Sequence, residues 1–232
     1  MVIDRETHAA TLLQLLLSAV YVFVCAFRSV LPVYDIPRIV LVDSRLSRVI
    51  VGRSVATVGE LCFAAQWALI LHRLALLSHS PFGYVASSAI VPLIVVAEGF
   101  SWYAVLTTAQ RGHVVENSIW GLSAVLVVAG MFLIEPHRVA NLCPPMLAWC
   151  VGGAAYVLFI FLFDVPMYRS RWLADEAAGR RYFSISQGVV DVCRRRVVSH
   201  RWTDWKTEVL WVALFHLGSM EQRLDSLCIP SP

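Results

Sequence analysis

The chain has 232 residues, 58% hydrophobic and 15% charged, with a mean hydropathy of +0.67 and a net charge of +3. A soluble domain is nearer half apolar and a quarter charged, and here the apolar residues stand in long blocks, so the sequence excludes an ordinary soluble enzyme. The basic residues lie between these blocks, where membrane topology places them. We therefore expect a lipid bilayer as the main partner and no nucleic-acid partner.

Five apolar blocks are long enough to cross a bilayer as α-helices, which takes about 20 residues each. They cover approximately 9–27, 54–77, 84–109, 114–134 and 146–165. A sixth block at 207–221 is too short for a standard crossing, and it is open whether it crosses, re-enters or lies on the surface. The sequence predicts an all-α fold, a polytopic transmembrane helix bundle of five or six spans that forms one membrane domain over 1–232.

The lysines and arginines are distributed unevenly between the two ends of the predicted spans. If the N-terminus faces outward, 15 of the 19 basic residues lie on the inner side. Inner loops of membrane proteins carry such an excess. The sequence therefore predicts the N-terminus outside and the large basic loop inside, in a membrane whose identity the sequence leaves open, as it does the oligomeric state.

The large loop, 167–206, combines arginines with tyrosines and tryptophans. This composition is typical of an amphipathic helix that lies on anionic headgroups. The alternative is that the arginines only fix the topology.

Ionisable side chains occur inside the apolar blocks, where each costs at least ~2.5 kcal/mol on insertion scales. Counted from the nearest basic loop, they fall in the inner half of the bilayer. Such residues usually face the bundle interior and mark a site. The set consists of Glu60, Glu98, His113, Glu116, Asp164 and His216.

Carboxylates and imidazoles from several helices suit iron, manganese or zinc. Carboxylate-rich dimetal bundles combine single glutamates with Glu-x-x-His pairs. Here Glu60 and Glu98 are candidate single ligands, and His113 with Glu116 has the right spacing in reverse order. All six residues are candidate ligands for a transition metal.

Four of the six, Glu60, Glu98, His113 and Glu116, are the candidate catalytic residues. With a metal they predict a membrane oxidoreductase or hydrolase that acts on a lipophilic small molecule. Without one, Glu98 donates a proton that Glu60 or His113 accepts, which suits an acid–base isomerase. Two further functions stay open: a non-catalytic assembly or adaptor subunit, and a proton-coupled transporter.

Overall fold

The computed structural model of the chain describes residues 2–133 and 144–205. Five helices there are long and apolar enough to cross a membrane: His8–Val30, Val49–Ser78, Pro81–Thr107, Gln110–Leu133 and Ala148–Ala177. The predicted all-α bundle of transmembrane helices is confirmed. The doubtful sixth span at 207–221, with His216, lies outside the described residues.

The helices, in chain order, are α1 Val2–Val30, α2 Val49–Ser78, α3 Pro81–Thr107, α4 Gln110–Leu133, α5 Pro144–Phe159, a π-helical turn Ile160–Asp164, α6 Val165–Ala177, α7 Ile185–Arg194 and α8 Trp202–Trp205. The described part of the chain also contains three two-residue strands: β1 Val33–Tyr34, β2 Ile39–Val40 and β3 Val197–Val198. The described residues divide into two compact units, the first formed by 2–66 with 195–205, and the second by the described part of 67–194.

In the first unit, α1 packs against the beginning of α2. A Cβ atom added to Gly59 of α2 would lie 2.6 Å from the Val24 side chain of α1, so only glycine allows this approach. The rings of Tyr21 and Phe63 stack with centroids 5.2 Å apart. Small residues at such contacts are the usual means by which membrane helices pack closely.

The first unit also contains a small sheet, in which β2 pairs antiparallel with β1 and parallel with β3. The Val197 amide donates to the Arg38 carbonyl at 2.8 Å and the Ser199 amide donates to the Val40 carbonyl at 3.0 Å. The Ser199 hydroxyl donates to Asp204, and this hydrogen bond lowers the pKa of the Asp204 carboxyl. The segment just before α2 is therefore tied to the chain that follows α7.

In the second unit, α3 and α4 form a tight antiparallel hairpin. Ser80 caps α3 by accepting from the Gly83 amide, and Pro81 fills the first turn, where its missing N–H costs nothing. Thr108 ends the helix with a left-handed φ of 61°. Only Thr108 and Ala109 separate the two helices, and both are buried.

The helix of the last span extends beyond the apolar block that the sequence predicts. The sequence predicts 146–165, whereas α5, the π-helical turn and α6 run without a break to Ala177. The π-helical turn ends two residues before Pro166, which cannot donate a backbone hydrogen bond. Its residue Phe161 packs on α4 so closely that a Cβ at Gly121 would lie 2.7 Å from the Phe161 ring.

Large apolar side chains are exposed along the long helices. On α1, Leu12, Leu16 and Phe23 each expose more than half of their surface. A soluble protein rarely exposes contiguous apolar surface of this extent. Lipid acyl chains are the medium that such a surface requires.

Candidate carboxylate and imidazole site

The site is built in the second unit, on the facing sides of the α3–α4 hairpin. Glu98 precedes the end of α3 by nine residues and Glu116 follows the start of α4 by six, which are axial distances of ~14 Å and ~9 Å. Glu98 is 4% exposed and Glu116 is 7% exposed. A carboxylate oxygen of Glu98 and one of Glu116 lie within 4.8 Å of each other.

His113 completes this arrangement from within α4. Its Nδ1 atom lies 2.6 Å from Oε2 of Glu116, one helical turn further along. With the proton on Nδ1, the imidazole donates to the carboxylate and Nε2 presents a lone pair. Such a carboxylate–histidine pair fixes the orientation of the ring for metal binding or for proton transfer.

Tyr168 of α6 also lies at this site, although its place in the sequence predicts only an interfacial aromatic. Its ring lies over His113 with centroids 5.0 Å apart and planes tilted by 36°. The Arg171 guanidinium lies 5.5 Å from the centre of the same tyrosine ring. The sequence contains one signal for this placement: Tyr168 follows Asp164 by four residues, which puts the two side chains on one helix face.

Asp164 is the last residue of the π-helical turn and is 2% exposed. The sequence predicts it near the end of a span, but the helix continues for 13 further residues as α6. The turn that carries it packs on α4. Single π-helical turns occur preferentially at functional sites, and this one brings a buried carboxylate onto the helix face that carries Tyr168.

Two further polar atoms near the site have no hydrogen-bond partner within the described part of the chain: Oγ of Ser101 and Oε1 of Gln110. Ser101 follows Glu98 by three residues and is fully buried. Ser118 and Ser123 of α4, by contrast, donate to backbone carbonyls four residues earlier. An unsatisfied buried hydroxyl costs about 1–3 kcal/mol, so the Ser101 hydroxyl marks a position that a ligand can satisfy.

Glu60 belongs to the first unit. There its Oε2 accepts a hydrogen bond of 3.1 Å from the Arg53 guanidinium, seven residues earlier on α2. The pair is mostly buried, which explains how α2 tolerates an arginine four residues after its start at Val49. Its membership of the site stays a prediction from depth, and His216 lies outside the described residues.

Half-buried tryptophans stand one turn beyond each carboxylate of the hairpin. Trp102 follows Glu98 by four residues, and Trp120 follows Glu116 by four. This spacing puts each indole on the face of its neighbouring glutamate. The surroundings of the site therefore combine acidic, imidazole and phenol groups with large apolar rings.

Five apolar spans and acidic groups buried within them define a polytopic α-helical membrane protein. No family model matches the chain, and no curated protein and no solved structure matches it either.

Proposed function

We propose that the chain is a membrane enzyme that acts on a lipophilic substrate, with Glu98, His113 and Glu116 as its catalytic centre. The observation that carries the proposal is the meeting of two carboxylates and an imidazole at membrane depth on the α3–α4 hairpin. Each carboxylate is costly in hydrocarbon.

A transition metal, iron, manganese or zinc, is the cofactor that the donor set suits best. Carboxylate oxygens and one imidazole nitrogen are its ordinary ligands, and Glu116 orients the imidazole as an outer carboxylate does in many metal sites. Asp164 adds a buried carboxylate in the same unit. Glu60 is included in the proposal on its predicted depth alone.

The chemistry is that of an oxidoreductase or a hydrolase when a metal is bound. In a metal-free form, Glu98 supplies a proton and His113 accepts one, which is isomerase chemistry. Trp102 and Trp120 favour an apolar substrate, because aromatic walls with a few polar groups are typical of sites for hydrophobic ligands.

Metal analysis of the detergent-purified protein tests the proposal. We expect about one or two iron, manganese or zinc ions per chain after mild purification, since bundle sites of this type hold one or two ions. A metal-free protein with proton-coupled flux in liposomes would instead identify a transporter. A metal-free protein without flux that co-purifies with a stable partner would identify an assembly or adaptor subunit.

We also propose the orientation, with the N-terminus outside and the basic segment 167–206 inside against anionic headgroups. The excess of arginine in this segment supports it. In sealed cells, a membrane-impermeant thiol reagent is expected to label a cysteine introduced at Ser80 but not one introduced at Val190. The reverse pattern would invert the topology and leave the enzyme proposal intact.

A further inference from the structure

Helix α7 carries an apolar stripe that is wider than the protein surface on which it packs. The stripe consists of Ile185, Gly188, Val189 and Val192, at the spacing of one helix face. Gly188 and Val192 are buried, whereas Ile185 is 58% exposed and Val189 44% exposed. One edge of the stripe is therefore covered by protein and the adjoining edge is not.

The covered edge rests on the last turn of α3. A Cβ atom added to Gly188 would lie 2.1 Å from the Leu106 carbonyl oxygen, so the α7 backbone is in direct contact with the α3 backbone. The Phe183 amide, just before α7, donates to the Thr107 carbonyl at 3.0 Å. These contacts fix α7 at the level where the third span ends.

The level of α7 determines what surrounds its uncovered edge. α3 is a membrane span, and its last residue is Thr107. A helix held at that residue lies where acyl chains give way to headgroups. Exposed apolar side chains at this level contact lipid, because the bilayer already surrounds the neighbouring spans.

Charge indicates the kind of lipid. Arg181 precedes α7, Arg194 ends it, and both are exposed. The face opposite the apolar stripe carries the exposed Gln187 together with Asp191. An amphipathic helix with an arginine near each end binds anionic headgroups, to which each arginine near the surface contributes about 1 kcal/mol.

We propose that α7 is an interfacial helix whose uncovered edge, Ile185 and Val189, inserts among the acyl chains of an anionic bilayer. Arg181 and Arg194 then lie at the lipid phosphates. This inference rests on the proposed contact of segment 167–206 with anionic headgroups, and it is independent of the enzyme proposal, since it concerns only α7 and its attachment to α3.

The test uses the full chain without its native cysteines, reconstituted in liposomes, with one environment-sensitive fluorophore at Val189→Cys. A matched variant carries the probe at Gln187→Cys, on the opposite face of the same helix. Unchanged α-helical circular dichroism and size-exclusion profile qualify both variants. Quenching is measured with a spin label on the lipid acyl chain and with aqueous iodide.

In liposomes of phosphatidylcholine with phosphatidylglycerol, we expect the acyl-chain quencher to act about twofold more strongly at position 189 than at 187, and iodide to show the reverse order. In phosphatidylcholine alone, the acyl-chain quenching at position 189 is expected to fall.

Equal quenching at both positions overturns the insertion. Shielding of position 189 from both quenchers, with energy transfer between two labelled copies, overturns it in favour of a contact between chains. Unchanged quenching without phosphatidylglycerol overturns the anionic preference.

Discussion

The Glu98→Gln substitution is expected to lower the metal affinity of the purified protein by at least about 100-fold. Loss even of a residue that only supports a metal ligand lowers metal affinity by about 10–100-fold. Glutamine keeps the shape of the glutamate but removes its negative charge. Glu116→Gln is expected to have a similar effect, because it removes both a candidate ligand and the acceptor that orients His113. The measurement is the metal content per chain after dialysis against a graded series of chelator concentrations.

Glu176→Gln is the matched control. Glu176 is an exposed carboxylate of α6 that accepts hydrogen bonds from Trp172 and Tyr182. Its replacement is expected to leave the metal content unchanged. Full retention of metal in both Glu98→Gln and Glu116→Gln, with the thermal unfolding midpoint unaltered, contradicts a metal site on the hairpin.

The Gly188→Val substitution is expected to detach α7 from α3. The Leu106 carbonyl would lie 2.1 Å from the first added atom, and a helix backbone cannot yield by that amount. Overpacking typically costs about 1–3 kcal/mol, and release of α7 avoids the clash. Limited trypsin digestion of the liposome-bound protein measures this release, because Arg181 and Arg194 flank the helix.

Gly152→Val is the control for this variant. Gly152 lies within α5, and a Cβ atom there would meet nothing within 4 Å. Its digestion pattern is expected to match that of the unaltered protein. Equal trypsin resistance of the Gly188→Val protein would mean that α7 is not held by the backbone contact at Leu106.

The sequence predicts the spans well, because an apolar block of sufficient length has few other stable forms in water or lipid. Their ends are predicted less well. Hydropathy marks where a helix leaves the bilayer, not where it stops, so α6 continues to Ala177 beyond the predicted 165. The start of α2 was predicted at 54 because Arg53 is charged. The helix begins at Val49, and Arg53 within it pairs with Glu60.

The site was predictable only in part. The spacing of three residues places His113 and Glu116 on one face, so their contact follows from helix geometry. The approach of Glu98 to Glu116 depends on how α3 and α4 pack, which depth along each helix suggests but cannot determine. Tyr168 was missed because a tyrosine near a membrane boundary has an ordinary role as an anchor. The π-helical turn that ends at Asp164 has no sequence signal comparable to a cap or a glycine.

The short joint between α3 and α4 has a consequence for how the protein is made. Glu98 and Glu116 are 18 positions apart in the chain (116 − 98), so the loop that brings them together closes at a small entropic cost. Both residues lie in helices that are complete at Leu133. The two carboxylates can therefore approach each other while the ribosome is still synthesising the later helices, which enter the membrane afterwards.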